Sequence, residues 1–308
     1  NRDAGESYVV FGQGGGFASS LNLSALDSGN IFVLNGINSN NFSGFSVSGA
    51  GDVNDDGFDD IIIGAIGANN TGQSYVIFGS DFFVTPGNDD RTLNANNNTL
   101  DALAGNDTIR AGNGNDDVFG NDGNDRLLGQ NGADTLDGGA NDDILNGGNQ
   151  DDVLWGSSGN DALNGGSQND RLFGGTGNDR LNGGLNNDTL IGVDESSPSP
   201  GLGEKDALAG NSGADLFVLG NAVTAFYDDN GTTVAQGNVS RALIQDLDVG
   251  IDRIQLHGSA ADYVLQATAS GNTNIFYRPA GEVRDLIGIV NGTTGLNLSD
   301  SSTFVFVG

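Results

Sequence analysis

GQNGADTLD, GGANDDILN, GGNQDDVLW, GSSGNDALN, GGSQNDRLF and GGTGNDRLN follow one another without a gap over residues 129–182, and the same nine-residue unit fills residues 102–191. Its sixth position is Asp107, Asp116, Asp125, Asp134, Asp143, Asp152, Asp161, Asp170, Asp179 and Asp188, with no replacement. Its eighth position is Ile109, Val118 and then leucine in every unit from Leu127 to Leu190. A period of nine with two units per turn predicts a coil. Polar, glycine-rich turns alternate with very short strands, two thin sheets form, and the eighth-position side chains stack between them. Such a core is one side chain deep, too little apolar area to offset the entropy of ordering so many glycines. The turns therefore need a staple. Stacking brings Asp carboxylates and turn carbonyls together again and again, which is unfavourable alone and makes an oxygen cage around a divalent cation.

These residues resemble the G-G-x-G-x-D-x-U-x nonapeptide repeat of RTX (haemolysin-type) proteins over about 135 residues. The resemblance implies a parallel β-roll with several Ca²⁺ ions held between its turns. Departures from the pattern are local. The fourth position carries Asn141, Gln150, Gln168 and Asn186 in place of Gly. Asn accepts φ > 0 more readily than Gln, so the turns at Gln150 and Gln168 are expected to be the least secure. Residues 93–101 carry Asn98 in place of Asp, and residues 192–200 (GVDESSPSP) carry two prolines that should interrupt a strand. The length is still nine. Register is therefore expected to pass into GLGEKDALA and GNSGADLFV, where Asp206 and Asp215 rejoin the pattern as further metal ligands.

Composition agrees with a turn-rich, metal-dependent chain. Among 308 residues there are 52 Gly, 4 Pro, 1 Trp and no Cys. Without cysteine, neither disulfides nor a thiolate metal site can stabilise the fold. The 41 acidic residues against 11 basic ones give a net charge of −30, which calls for cations and leaves no basic surface to neutralise nucleic-acid phosphates. No apolar run approaches the roughly 18 residues of a transmembrane span, and the polar start Asn1-Arg2-Asp3 does not read as a signal peptide.

Residues 1–83 are built differently. AGESYVVFG at residues 4–12 returns as TGQSYVIFG at residues 71–79, so the chain is expected to begin in mid-repeat. Alternating apolar runs at 31–34, 45–47, 61–63 and 75–78 predict a four-stranded antiparallel sheet unit. Within it, GDVNDDGFDDIII places Asp52, Asn54, Asp56, Gly57 and Asp60 in the order D-x-N-x-D-G-x-x-D. Oxygen side chains at alternate positions and a Gly for the sharp turn suit Ca²⁺, and Ile63 at the twelfth position excludes an EF-hand. With the flanking FSGFSVSGAGD and SYVIFG, the stretch resembles the FG-GAP repeats of integrin-type β-propellers. That resemblance implies one Ca²⁺ held by Asp52, Asn54, Asp56, Asp60 and the Phe58 carbonyl. A propeller needs several blades, and one is present.

The nine-residue register also predicts the outward faces. On one sheet the ninth positions are Phe119, Asp137, Trp155, Phe173 and Ile191; on the other they are Arg110, Leu128, Asn146, Asn164 and Asn182. The first set should form an apolar stripe that docks the C-terminal domain or a second molecule. Residues 219–308 lose the period and show strand runs at 242–244, 253–256, 263–265, 275–277, 286–290 and 304–307, which predict a β cap. ALIQDLDVGIDRIQL resembles the segment that follows RTX repeats in serralysin-type proteins, with Asp246 and Asp252 as candidate ligands, and STFVFVG resembles C-terminal signals of type I secretion.

The whole reads as an all-β chain with an FG-GAP-like unit at 1–83, a β-roll at 84–218 and a cap at 219–308. A lone histidine, His257, rules out an HExxH zinc site, and neither a GxSxG elbow nor a cysteine nucleophile occurs. The function expected is that of a secreted or cell-surface calcium-binding structural or adhesive protein, not an enzyme. Large secreted cyanobacterial proteins combine the same two segment types, as the resemblance implies. Two other readings stay open: the non-catalytic part of a larger secreted hydrolase, and a self-assembling matrix subunit joined through the strand around Tyr8 or through the Phe119/Trp155/Phe173 stripe.

Overall fold

A computed structural model of the chain describes residues 6–10, 31–35, 43–51, 60–65, 73–77, 87–93, 95–227, 240–278 and 285–308. The chain divides into two units, Asn1–Gly87 and Asn88–Gly308. In the first, Ser43–Gly51, Asp60–Ala65 and Gln73–Ile77 form an antiparallel sheet of three strands, while Ile31–Asn35 pairs with Glu6–Val10 instead of adding a fourth. The strand at 31–35 therefore joins the strand around Tyr8, where the sequence pattern had placed it in one four-stranded unit with the runs at 45–47, 61–63 and 75–78. The segment carrying Asp52, Asn54, Asp56 and Phe58 lies outside the described residues. Asp60 opens the strand Asp60–Ala65.

The second unit is the predicted parallel coil. Strands Thr108–Asn113, Arg126–Asn131, Ile144–Asn149, Ala162–Ser167 and Arg180–Leu185 stack as one sheet, and Asp117–Asp122, Thr135–Ala140, Val153–Ser158 and Arg171–Thr176 as the other. Partners are eighteen residues apart, as Leu127 against Leu145 and Leu136 against Leu154 show. Side chains alternate along a strand, so the sixth-position Asp, the eighth-position apolar residue and the next unit's first glycine all point into the coil. Leu127, Leu136, Leu154 and Leu172 are completely buried there. No α-helix occurs among the described residues.

The prolines interrupt the roll in a way the register did not foresee. Gly192 still accepts the Gly175 N–H at the regular step, but the residues between it and Lys205 leave the coil, and Asp206 stacks on Asp179, not on Asp188, across 27 residues where the regular step is 18. The reason is local. Elsewhere the seventh-position N–H donates to the Asp carbonyl one coil earlier, as Arg126 does to Asp107; the corresponding residue is Pro198, which has no N–H. Ser197 and Ser199 also replace the Asp and the apolar residue of this unit.

Both sheets then run on into the C-terminal segment. Arg241–Ile244 pairs with Lys205–Ser212, Arg253–His257 with Leu216–Val218, and Phe304–Val307 closes the second sheet beside Arg253–His257. Tyr263–Ala267, Thr273–Tyr277 and Asp285–Val290 add antiparallel pairings to the first sheet. This end has a thicker core containing Phe217, Phe226, Ile254, Leu256 and Ile275.

The outward stripe forms in register: Phe119 pairs with Asp137, Trp155 with Asp137 and Phe173, and Phe173 with Ile191. Trp155 and Phe173 stack with ring centroids 3.8 Å apart. Its two ends differ, because Phe119 and Trp155 are exposed while Phe173 and Ile191 are buried. Val193, Asp194, Glu195 and Ser196 of the looped-out segment form the far wall of a cleft of about 540 Å³ over Trp155 and Phe173.

Turn geometry is stricter than the fourth position alone suggested. Asn141, Gln150, Gln168 and Asn186 have φ between 77° and 81°, and the second position is left-handed too, with Leu103 at 72°, Gln130 at 76° and Ser157 at 72°. Gly132 shows the opposite constraint: at φ 138° an added Cβ would collide with the Gly114 carbonyl of the preceding coil. Left-handed backbone costs an L residue about 1–2 kcal/mol, partly offset by the larger unfolded-state entropy of glycine. Gln150→Gly or Gln168→Gly is therefore expected to stabilise the calcium-saturated protein by about 0.5–1 kcal/mol, and Gly132→Ala to destabilise it. Chemical denaturation of the three variants checks both signs.

Candidate metal centre

The period-two alternation that buries the leucines also buries the carboxylates. Asp107, Asp116, Asp134, Asp143, Asp152, Asp161, Asp170, Asp179, Asp188, Asp206 and Asp215 are each only 1 % exposed and Asp125 2 %. They form two columns. In the first, the backbone N–H of Asp107 donates to Oδ1 of Asp125 at 2.7 Å, Asp125 to Asp143 at 2.7 Å, Asp143 to Asp161 at 2.8 Å and Asp161 to Asp179 at 2.8 Å. In the second, Asp116 donates to Asp134 at 2.9 Å, Asp134 to Asp152 at 2.8 Å, Asp152 to Asp170 at 2.8 Å, Asp170 to Asp188 at 2.8 Å and Asp188 to Asp215 at 2.8 Å. Each carboxylate thus reaches back one coil with one oxygen.

The other oxygen is what the columns leave unsatisfied. Oδ2 of Asp107, Asp116, Asp125, Asp134, Asp143, Asp152, Asp161, Asp170, Asp179, Asp188 and Asp215 is buried with no hydrogen-bond partner. One such orphan ordinarily costs about 1–3 kcal/mol, more when charged. At Asp125, Asp134, Asp161, Asp170 and Asp179 it sits beside a further acceptor. A methyl group added at Gly120 would touch both Asp125 Oδ2 and the Gly138 carbonyl oxygen, and the same triad recurs at Gly129 with Asp134 and Gly147, at Gly156 with Asp161 and Gly174, and at Gly165 with Asp170 and Gly183. Glycine at the first position of these units thereby keeps open a niche flanked by oxygen, whereas Ala102 and Ala111 stand there in the units of Asp107 and Asp116. Among the described residues no three acidic or histidine side chains gather around one point. A cage here takes its carboxylates singly and its other oxygens from the backbone, a donor set that suits Ca²⁺ and not a thiolate- or imidazole-seeking metal. The columns fit calcium. The residues that would hold it are the orphaned aspartates, with first-position glycine carbonyls such as Gly138, Gly147, Gly174 and Gly183.

Three other predicted positions behave differently. Asp206 Oδ2 accepts the hydrogen bond of the Tyr227 hydroxyl at 2.6 Å. Asp246 accepts the backbone N–H groups of Gly210 and Asn211, and Asp252 accepts those of Asp215 and Asp248, so neither leaves an unused oxygen of the kind the columns show. His257 ends its strand with Nδ1 2.9 Å from the Asn221 carbonyl. The fifth position carries a second zip that the sequence reading passed over. Asn88 and Asn106 each accept the N–H of the fifth residue one coil later at 2.9 Å, and Asp142 accepts that of Asn160 at 2.8 Å. Its signal was the run of Asn and Asp at that position. Glu204, with a buried orphan Oε2 and Oε1 accepting the Gly177 N–H at 3.3 Å, had no periodic signal.

The comparisons with known families agree with this geometry. Residues 93–127, 119–154, 128–163 and 155–190 match the family model described as RTX calcium-binding nonapeptide repeat, and residues 43–77 match that of the FG-GAP repeat. Neither repeat type is catalytic. A search of curated proteins gives no match.

Burial, reinforced by the neighbouring carboxylates of the same column, pushes Asp143, Asp152 and Asp179 up from 3.8 to about 8. Burial likewise takes Asp161, Asp170 and Asp188 to about 7 and Asp107, Asp134 and Asp215 to about 6. A proton and a cation compete for the same oxygens. A carboxyl raised on folding supports the metal-free fold fully below its unfolded value and loses that support as pH climbs through the folded one. In chelator the roll should therefore melt at progressively lower temperature from about pH 4 to about pH 8, and calcium binding near neutrality should release protons. Thermal melts across that range check the sign; a melting temperature that rises with pH would contradict it.

Proposed function

We propose that this chain, which carries RTX calcium-binding nonapeptide repeats and an FG-GAP repeat, is a secreted or cell-surface structural or adhesive protein whose roll folds on binding extracellular Ca²⁺. One observation carries the reading: two columns of buried aspartates with orphaned second oxygens, which at Asp125, Asp134, Asp161, Asp170 and Asp179 lie beside a backbone carbonyl. An isolated buried charge is costly enough that such columns either take up protons or bind a counter-ion. Millimolar calcium outside cells supplies the counter-ion, and its binding to the folded form alone adds directly to stability. In a low-calcium compartment the same carboxylates repel one another and hold the repeats unfolded.

The architecture supports a scaffold role. Residues 84–218 act as the calcium-stapled spacer and 219–308 as the cap that covers its last coils, with the FG-GAP-like unit at 1–83 binding one further ion through Asp52, Asn54, Asp56, Asp60 and the Phe58 carbonyl. The exposed Phe119 and Trp155, and the cleft beside Trp155 and Phe173, offer an apolar contact surface on an otherwise acidic molecule. No helix among the described residues is long and apolar enough to cross a membrane.

Circular dichroism during a calcium titration tests the proposal. A cooperative gain of β structure on adding Ca²⁺, reversed by chelator at pH near 8, is the expected outcome. A roll folded to the same extent in chelator at that pH would sink it.

A further inference from the structure

The two carboxylate columns end differently from the way they run. Every aspartate from Asp107 to Asp188, and Asp215 after them, leaves Oδ2 buried without a partner at the sixth position of its unit. Asp206 closes the first column, and its Oδ2 takes the hydroxyl of Tyr227, a side chain wholly inside the protein with its backbone at φ 60°. Asp252 closes the second, its Oδ1 accepting the Asp215 N–H at 3.0 Å and its Oδ2 the Asp248 N–H at 2.7 Å. At the opposite ends Arg91 lies 2.9 Å from Asp89, and Asn98 stands where an aspartate would, its Nδ2 donating to Asp116 Oδ1 at 3.0 Å.

The surroundings of Gly192 show what the tyrosine replaces. At a running rung such as Gly174, an added methyl would touch Asp179 Oδ2 on one side and the Gly192 carbonyl oxygen on the other. At Gly192 it would touch Asp206 Oδ2 on one side and Tyr227 Oη on the other. Two acceptors that face each other need a cation between them. An acceptor that faces a hydroxyl needs none, because the hydroxyl supplies the proton.

We propose that the calcium-binding stretch is bounded by four stops written into the chain, Arg91 and Asn98 at one end and Tyr227 and the Asp248 N–H at the other, and that the Tyr227 hydroxyl makes the Asp206 rung metal-free. Calcium is then confined to the rungs of Asp125 through Asp188 and of Asp215, where the first position is glycine, whereas Ala102 and Ala111 place a methyl group in the niches of Asp107 and Asp116. The stops have a physical purpose. The last rungs adjoin the apolar core around Phe217 and Phe226, where an unmatched carboxylate facing a carbonyl would be most costly. A donor built into the chain closes the stack there whatever the calcium concentration.

The inference rests on the calcium reading of the columns, and the experiment separates the two. Native mass spectrometry of the full chain, saturated with calcium, counts ions per molecule. Tyr227→Phe removes the donor and keeps the ring, so it should bind one ion more than the unaltered chain. Asn98→Asp combined with Leu93→Gly restores the missing carboxylate and an open niche at the far end and should also bind one more, which keeps the idea testable if Tyr227→Phe does not fold. An unchanged count in a folded variant overturns the corresponding stop. An unaltered chain that binds no calcium overturns the reading of the columns themselves.

Discussion

A carboxylate oxygen aimed at a carbonyl oxygen, inside a coil from which water is excluded, is the contact on which the rest of this structure depends. Neither group can donate to the other, so the pair persists only with a proton or a cation. The arrangement recurs at Asp125, Asp134, Asp161, Asp170 and Asp179. One Oδ of each aspartate is consumed in tying coils together through the backbone N–H of the preceding coil, which fixes the second oxygen in place and leaves it no freedom to turn toward solvent. Rigidity and demand for a counter-ion thus come from the same side chain.

The thinness of the core explains why such a device is needed. Each strand contributes one eighth-position side chain and one glycine to the interior, so burial grows linearly with the number of coils and never accumulates in depth. Against this stands the ordering of two left-handed positions per unit, filled in several places by Gln, Asn, Ser or Leu and not by Gly. The C-terminal segment solves the problem by another route, with aromatic and branched residues such as Phe217, Phe226, Ile254 and Ile275 filling a deeper interior. Because the same sheets pass through both regions, the apolar end offers a template against which the last coils can pair.

Much of this was legible from the repeat. The nine-residue period gave strand positions, inward leucines and the outward order of Phe119, Asp137, Trp155, Phe173 and Ile191, because a coil with two units per turn leaves no choice of register. The fate of residues 192–200 was not legible. Their length of nine is compatible with staying in register, and the missing Pro198 N–H, at the position where every other coil donates to the one before, accounts for the unit's departure from the stack. The partner of Tyr227 was likewise out of reach. Its hydroxyl meets Asp206 across 21 residues with no periodic relation between them.

The sequence by itself therefore determined the all-β roll, the rows of aspartates and the kind of ion they suit, since strand alternation and oxygen chemistry act within a few residues of each Asp. Only the tertiary structure decided which oxygen of each carboxylate is spent on the backbone, which is left for a cation, and where the columns stop. Those outcomes depend on what the next coil or the C-terminal core places opposite each oxygen. That is a relation between segments 18, 21 or 27 residues apart, which no local pattern encodes.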